Sequence, residues 1–268
     1  MNILVTINSH YIKPLKVMLK SLFLNNQDDV FHIYLMHSSL KEEQLSDLDQ
    51  FIAEEGHRFN AVTVQHNYFD KAPILKHYTK EMYYRLLAFK YLPTHLNKIL
   101  YLDPDILVIN EIRTLYSTDI SDYLYAAAYH DRMSVTEINK LRLKPYKIEA
   151  YYNSGVLLMN LRLQREAINE QDIYDFVEEN KKKLFLPDQD IINALYAKEI
   201  KNIDEIMFNY DARFYRYYKI VSNGKIDMDY IIRHTSIIHF CGKKKPWHKN
   251  YTGNFHSLYK HYEKLALS

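Results

Sequence analysis

The sequence predicts an α/β protein in which helices flank a mostly parallel sheet. Short apolar runs of strand length alternate with longer segments of helical periodicity through the first part of the chain. Several apolar runs are continuous rather than alternating, which is typical of parallel strands that are buried on both faces. The length of 268 residues and the 47% share of hydrophobic residues suffice for one large core. In such a sheet, ligands bind at the carboxyl ends of the strands.

The first elements are three strands and two helices in alternation. Residues 3–7 form a β-branched, apolar run, and residues 11–25 carry apolar side chains at helical spacing. Residues 31–36 predict a second strand, residues 42–52 a second amphipathic helix, and residues 59–64 a third strand. Polar residues that directly follow these strands are therefore the first candidates for a binding site.

The remaining elements follow the same patterns. We expect helices over residues 82–92, 168–183 and 188–197, and strands over residues 98–102, 106–109 and 155–161. Residues 132–150 are less regular, and one interpretation is a mobile flap. The first plausible break in the chain is near Cys241, so we predict a domain over residues 1–240 and a basic, aromatic tail over residues 241–268.

Charge and cysteine content exclude several classes of function. The 35 basic and 33 acidic residues give a net charge of +2, so we expect no nucleic-acid partner. The single cysteine, Cys241, can form neither an internal disulfide nor a Cys-x-x-Cys zinc site, which fits a reducing compartment. No basic region precedes the first strand, and no apolar run approaches the roughly 20 residues of a membrane span. We therefore expect a cytoplasmic protein.

Two acidic residues, Asp103 and Asp105, stand between the predicted strands at 98–102 and 106–109. Burying a carboxylate costs several kcal/mol unless it is paired, hydrogen-bonded or metal-bound. Pro104 favours extended backbone at Asp103, so the two side chains face the same side and can hold Mg²⁺ or Mn²⁺ beside phosphate oxygens. The alternative is an ordinary Asp-Pro-Asp turn.

A second polar group, which begins at His239, follows the apolar pair Ile237 and Ile238. A histidine at a strand end can be a third metal ligand, and an imidazole beside two carboxylates favours Mn²⁺ over Mg²⁺. Gly242 lets the backbone approach a phosphate, and Lys245 offers a compact cation for a pyrophosphate. The alternative is a core histidine with satisfied hydrogen bonds, followed by a solvated lysine run.

Four sequence signatures occur in order along most of the chain. They are an apolar-flanked Asp-x-Asp, an Asn-x-Gly before an apolar strand, an Asp-Gln-Asp and a His-x-x-Gly-x-x-Lys-Pro-Trp. Their residues are Asp103 and Asp105; Asn153 and Gly155; Asp188, Gln189 and Asp190; and His239, Gly242, Lys245, Pro246 and Trp247. The set resembles that of the family 8 glycosyltransferases, which include bacterial lipopolysaccharide galactosyl- and glucosyltransferases and glycogenins. The resemblance implies the GT-A fold, a Rossmann-like, mostly parallel sheet flanked by helices.

The resemblance also implies roles for individual residues. Asp103, Asp105 and His239 would bind Mn²⁺, with Mg²⁺ as the alternative ion. The donor UDP-sugar would contact Thr6, Asn8, Tyr11, His77, Arg85, Asn153, Gly155, Asp188, Gln189, Gly242 and Lys245. Where related enzymes place an aspartate to grip the uracil, this chain has Asn8, which can still pair with a base edge while Tyr11 stacks on it. Simpler roles remain open for five of these residues: a loop histidine for His77, a solvated helix residue for Arg85, a turn amide for Asn153, a helix N-cap for Asp188 and an exposed glutamine for Gln189.

The implied activity is metal-dependent transfer of a hexose, glucose or galactose, from a UDP-sugar to a glycan or glycolipid, with retention at the anomeric carbon. The catalytic candidates are Gln189, Asp188 and Lys245. A double displacement needs a carboxylate nucleophile, whereas the amide of Gln189 is a poor one, so we expect front-face attack. Two other functions compete with this interpretation: a metal-dependent phosphohydrolase and a non-catalytic nucleotide-sugar-binding protein.

The predicted tail mixes basic residues, such as Lys243 and Lys249, with aromatic residues, such as Tyr259 and Tyr262. That mixture suits an anionic membrane surface, so we expect peripheral contact with the inner face of the membrane. The alternative is a partly solvated terminal helix that packs by its aromatic face.

Overall fold

Ten strands form two sheets in the part of the chain that the computed structural model describes, namely residues 1–64, 81–129, 148, 150–180, 184 and 186–268. The strands are β1 (Asn2–Thr6), β2 (His32–His37), β3 (Arg58–Thr63), β4 (Lys98–Leu102), β5 (Ile106–Val108), β6 (Tyr125–Ala127), β7 (Val156–Asn160), β8 (Ile200–Asn202), β9 (Tyr210–Asp211) and β10 (Ile237–His239). The predicted strands at 3–7, 31–36, 59–64, 98–102, 106–109 and 155–161 all correspond to one of these, and β6, β8 and β9 were not predicted.

The larger sheet has seven strands in the order β3-β2-β1-β4-β7-β6-β8. The β1–β2, β1–β4, β2–β3 and β6–β8 pairs are parallel, whereas β7 runs antiparallel to β4 and β6. Four of the six pairings are therefore parallel, which confirms the predicted mostly parallel sheet. The continuous apolar runs of β1, β4 and β7 occupy its middle, where both faces are covered.

The smaller sheet contains β5, β10 and β9, with β10 antiparallel to β5 and parallel to β9. Strands β4 and β5 are separated by three residues, yet they belong to different sheets. The chain thus passes from one sheet to the other through Asp103, Pro104 and Asp105. The acidic pair consequently lies at the junction of the two sheets.

Twelve helices accompany the strands in the described ranges. Their bounds are Ile12–Leu24, Glu42–Glu54, Glu81–Tyr84, Ala88–Tyr91, Arg113–Tyr116, Leu161–Ala167, Glu170–Asn180, Pro187–Tyr196, Glu205–Phe208, Tyr215–Val221, Met228–His234 and His256–Leu267. The helix predicted over 82–92 is instead two short helices joined by a 3₁₀ turn at Arg85–Leu87. The turn carries the buried Arg85, whose tertiary contacts override the local periodicity. Among the described residues, no helix combines the length and apolar character that a bilayer crossing requires.

Two apolar cores cover the two faces of the larger sheet. Because successive side chains of a strand point to opposite faces, Ile3 and Val5 join the core that contains helix Ile12–Leu24, whereas Leu4 joins the one that contains Tyr83. All of these side chains are buried. Full burial of such an apolar side chain contributes about 1.5–3 kcal/mol, so the two cores hold β1 and β4 firmly in register.

A third core joins the smaller sheet to the end of the chain. Phe255, Tyr259 and Tyr262 pack with residues of β5, β9 and β10, and helix His256–Leu267 lies against helix Ile12–Leu24. Tyr262 also accepts a hydrogen bond on its hydroxyl from Asn25 Nδ2, at 2.9 Å. This packing corresponds to the alternative of a terminal helix held by its aromatic face. The division of the chain at residue 240 stays a prediction.

Candidate active site

Asp103, Asp105 and His239 converge at the junction of the two sheets. Each offers one ligand atom, and the three atoms lie within 4.8 Å of one another. His239 Nε2 is 3.3 Å from Asp105 Oδ1 and 3.8 Å from Asp103 Oδ2. The antiparallel ladder explains how a histidine so distant in sequence arrives here, since His239 pairs with Ile106, the residue directly after Asp105.

A chain of hydrogen bonds fixes the orientation of the His239 ring. The backbone N–H of Gly155 donates to Asn153 Oδ1 at 2.9 Å, and Asn209 Nδ2 donates to the same oxygen at 3.0 Å. Asn209 therefore turns its Oδ1 toward His239 Nδ1, 2.9 Å away, so Nδ1 carries the hydrogen. The other nitrogen, Nε2, is left to face the two carboxylates. Such a partner behind a histidine orients it for metal binding.

Gly155 is the residue at which a side chain would destroy this arrangement. A Cβ at this position would lie 2.3 Å from His239 Cε1 and 2.7 Å from Asp103 Oδ2. The carbonyl oxygen of Gly155 also accepts a hydrogen bond from the backbone N–H of Asp103 at 2.8 Å. The backbone before β7 thus passes directly against the acidic pair, which explains the glycine of the Asn-x-Gly signature.

Arg85 lies on the Asp103 side of the site and is buried rather than solvated. Its Nη2 is 3.0 Å from Asp103 Oδ1, and its Nη1 is 3.4 Å from Asp188 Oδ2. Nη1 also donates to the carbonyl oxygen of Ser154 at 2.8 Å. Burial alone lowers the pKa of Arg85, but Asp103 outweighs it and the pKa rises above its usual range. The guanidinium therefore stays charged and joins two of the predicted site residues.

Tyr101 is a site residue that the sequence interpretation missed. Its hydroxyl donates to Asp103 Oδ1 at 2.5 Å and lies 3.2 Å from Thr6 Oγ1, while its ring lies under the Arg85 guanidinium. Thr6, expected to contact the donor, thus reaches the site through this hydroxyl. A signal was available for Tyr101, because residues two apart in a strand share a face. Asn209, the other missed residue, follows a short helix and carries no such signal.

Lys245 contacts Asp105 Oδ2 through its Nζ, which also donates to the carbonyl oxygen of Phe240 at 2.9 Å. Burial opposes the charge of Lys245, but Asp105 outweighs it and raises the lysine pKa. Burial would raise the pKa of the Asp105 carboxyl, yet Lys245 and His239 bring it well below its usual range. Asp105 is therefore a carboxylate between two cationic partners.

Burial lowers the pKa of the His239 imidazole, but Cys241 and Asp105 outweigh burial and raise that pKa well above its usual range. The negative potential that favours a proton on Nε2 also favours a divalent cation in the same place. The chemistry of the donor set, two carboxylates and one oriented imidazole, fits Mn²⁺ or Mg²⁺.

Asp188 and Gln189 lie in the first turn of helix Pro187–Tyr196, and both are buried. Asp188 is not the N-cap of this helix, because Leu186 holds that position, and its carboxylate faces Arg85. Burial raises the pKa of Asp188 although Arg85 opposes the rise. The loop before the helix is held instead by Asp190, which accepts from the Tyr151 hydroxyl at 2.5 Å and from Leu186 N at 3.2 Å.

Burial raises the pKa of the Tyr11 hydroxyl, and Asp105 and Asp103 add to the rise while Lys245 opposes it, so Tyr11 lies near the metal-ligand candidates. Its ring meets Trp247 edge-to-face, with centroids 5.9 Å apart. Asn8 accepts a hydrogen bond on Oδ1 from His10 N at 3.0 Å and so caps the short turn that carries Tyr11. Gly242 has a φ of +86°, which disfavours any side chain there. His77, the remaining predicted contact, lies outside the described residues.

A sequence model described as glycosyl transferase family 8 matches residues 2–251. General stress protein A of Bacillus subtilis (strain 168) is 26% identical over 277 positions, which cover 98% of this chain and 92% of that protein. Lipopolysaccharide 1,2-glucosyltransferase of Escherichia coli is 25% identical over 90% of this chain and 71% of its own length.

A solved structure resembles the whole chain. The crystal structure of the galactosyltransferase LgtC, in complex with donor and acceptor sugar analogs, aligns with a TM-score of 0.86 at 23% identity. The alignment covers 100% of this chain and 97% of that one. The likeness confirms the predicted GT-A fold.

Proposed function

Because the chain belongs to glycosyl transferase family 8, we propose that it moves a hexose from a UDP-hexose donor to a glycan or glycolipid acceptor in a metal-dependent reaction. One relative is called a glucosyltransferase and the similar structure is of a galactosyltransferase, so glucose and galactose are both candidate donor sugars. The same proposal includes a cytoplasmic location and peripheral contact with a membrane.

The observation that carries the metal dependence is the oriented Asp103–Asp105–His239 group. Its two carboxylate oxygens and one imidazole nitrogen favour Mn²⁺ over Mg²⁺. A bound divalent cation would supply a Lewis acid that neutralises charge on the donor diphosphate. Asn209 supports this role by holding Nδ1 of His239, which leaves Nε2 as the ligand atom.

Lys245 supports the diphosphate contact. Its ammonium group is charged, partly buried and adjacent to Asp105. A rotation of the Lys245 side chain would therefore bring it to a diphosphate bound to a metal ion at the acidic pair. A lysine offers a compact cation that follows a phosphate as it moves. We therefore assign to Lys245 the role of stabilising the negative charge that grows on the leaving diphosphate. Tyr11 and Asn8 are assigned to the uracil base.

Asp188 and Gln189 are assigned as the residues that hydrogen-bond the hexose hydroxyls. Asp188 faces Arg85 and Gln189 follows it in the same helical turn, so both lie on the Asp103 side of the acidic pair. The Asp188 carboxylate is engaged by Arg85 and by a hydrogen bond from Ser154, which makes it a poor nucleophile. This favours front-face attack.

In that reaction the acceptor hydroxyl oxygen forms a bond to the anomeric carbon as the bond from that carbon to the diphosphate oxygen breaks. The acceptor proton passes to the departing phosphate, and the configuration is retained.

Two competing functions make different predictions. A two-metal phosphohydrolase needs further acidic ligands, and the described residues contain a single group of three potential ligands. Such an enzyme would hydrolyse a P–O bond of the donor, with water as the attacking group, in the absence of any acceptor. A non-catalytic binding protein would bind UDP-sugar and Mn²⁺ but would not transfer the sugar to any acceptor in the panel.

The test is a mass-spectrometric screen of the purified chain with UDP-glucose or UDP-galactose, Mn²⁺ and a panel of envelope glycolipids. We expect a mass increase of one hexose on an acceptor, together with UDP release that depends on that acceptor. The variant His239→Ala should lose Mn²⁺-dependent donor binding while it stays folded. If His239→Ala keeps the same dependence on Mn²⁺, the assignment of the metal site is wrong.

A further inference from the structure

A cleft with a volume of ≈ 430 Å³ opens beside the chain that follows β10. Four of the residues that line it are cationic, namely Arg213, Arg216, Lys243 and Lys244, and none is acidic. The overall net charge of the protein is only +2, so this concentration of positive charge is a local feature. A cleft of one charge sign attracts a ligand of the opposite sign.

The cations of the cleft are available to a ligand. Arg216, Lys243 and Lys244 are exposed, and in the described part of the chain none of the three has a carboxylate within ion-pair distance. Arg213 is different, because Asp211 holds its Nε at 3.0 Å and its Nη2 at 2.6 Å. Its third nitrogen, Nη1, does not contact Asp211 and lies 2.8 Å from the position that a Cβ on Gly242 would occupy. One guanidinium of the cleft lining is thus fixed in advance beside Gly242.

The cleft adjoins the candidate active site. Cys241 lines the cleft and follows His239 by two positions. Lys245 lies just beyond the other end of the lining segment, but its Nζ turns to Asp105 instead. The same short loop therefore separates a cation at the metal-ligand candidates from the cations of the cleft. A molecule in the cleft would lie next to the reacting centre and would share only Gly242 with the residues assigned to the donor.

We propose that the acceptor of this enzyme carries a phosphate group and that this cleft binds that group. The inference rests on the proposed glycosyl transfer and names the acceptor class. Arginine binds phosphate oxygens in pairs and lysine adds a mobile point charge, so the four cations match a phosphate mono- or diester. A neutral oligosaccharide would gain nothing from them. A phosphorylated glycan and a phospholipid headgroup share this chemistry.

The experiment measures binding with the donor site filled. Calorimetric titrations of the full chain, saturated with UDP and Mn²⁺, compare glucose 6-phosphate with glucose. The test variant is Arg216→Gln/Lys243→Gln/Lys244→Gln, whose three side chains are exposed, so folding should not change. The matched control is Lys249→Gln, an exposed cation outside the cleft lining.

We expect the native chain and Lys249→Gln to bind glucose 6-phosphate at least about tenfold more tightly than glucose. Because the triple variant loses three exposed charge contacts, it should bind the phosphorylated sugar about fivefold more weakly or worse. The preference should also shrink as salt rises from 50 to 500 mM. Equal affinity of the native chain for the two sugars, or an unchanged triple variant, overturns the proposal.

A vesicle arm distinguishes the two sources of phosphate. Flotation compares phosphatidylcholine vesicles with vesicles that also contain phosphatidylglycerol. Vesicle binding that the triple variant loses assigns the phosphate to a lipid headgroup, whereas binding of glucose 6-phosphate alone assigns it to a glycan. Binding of UDP and Mn²⁺ is measured first, and its failure would contradict the proposed function. The preference for glucose 6-phosphate over glucose is then measured on the same protein and tests the cleft alone.

Discussion

The two members of the acidic pair stand two residues apart but have different surroundings. Asp103 is held on the side of the larger sheet by Tyr101 and Arg85, and both of these partners are buried. Asp105 faces the smaller sheet, where its partners are His239 and Lys245. Lys245 comes from a loop whose neighbouring lysines are exposed. Asp103 is therefore held by a tyrosine and an arginine that are both buried, whereas Asp105, although more buried than Asp103, is paired with a lysine from a loop.

This difference separates two kinds of mutational effect. Substitutions on the Asp105 side should chiefly change binding of the metal ion and the donor, because Asp105 and His239 are themselves ligand candidates and Lys245 is the cation beside them. Substitutions on the Asp103 side should lower stability and change the position of the sugar while metal affinity changes less.

Asp105→Asn should reduce transfer by roughly 10²–10³-fold, because the amide neither neutralises Lys245 nor binds a divalent cation as a carboxylate does. The measurements are the initial rate of hexose transfer and Mn²⁺-dependent binding of UDP. Asp119→Asn is the control, since Asp119 is an exposed carboxylate outside the site. Full activity of Asp105→Asn would contradict the assigned role.

Gly155→Ala should destabilise the protein by about 1–3 kcal/mol and should also abolish metal binding, because the added Cβ overlaps His239 and Asp103. Thermal unfolding and Mn²⁺ titration measure the two effects. In the double variant Gly155→Ala/His239→Ala, the shortened side chain removes the main overlap, so part of the stability should return. An additive loss in the double variant would show that this contact is not the cause.

Asn209→Ala should weaken Mn²⁺ affinity by about 10–100-fold, because His239 Nδ1 loses the acceptor that orients the ring. Asn209→Asp keeps an oxygen acceptor at this position and should retain more of the affinity than Asn209→Ala. The readout is a Mn²⁺ titration in the presence of UDP. Equal affinities of the two variants would contradict the orienting role.

Tyr101→Phe should have the smallest effect on the metal site. It removes one hydrogen bond to Asp103, which Arg85 still holds, so we expect a loss of about 1–2 kcal/mol in unfolding free energy and a change in Mn²⁺ affinity of less than about threefold. Denaturant unfolding and metal titration measure both quantities. A larger loss of metal affinity than in Asn209→Ala would reverse the comparison between the two sides.

Local patterns predicted the elements up to β3 better than the short strands and broken helices that follow. The strands and helices up to β3 agree with their predicted ranges because each shows a clear period of hydrophobic residues and ends at polar residues. The strands β6, β8 and β9 have only two or three residues, too few to show a period. Residues 82–92 failed as one helix because Arg85 turns inward to two carboxylates, a contact that no local pattern encodes.

By itself, the sequence determined the α/β class, the order of the main strands and the residue types of the site, since hydrophobic period and turn chemistry are local. The resemblance carried by the four signatures added the family. Only the tertiary structure decided that β4 and β5 separate into two sheets and that β10 brings His239 beside Asp105. It also decided that Asn209 and Tyr101 hold the ligand candidates in place. These are contacts between residues far apart in the chain, and they depend on strand pairing and close packing, which a linear pattern does not specify.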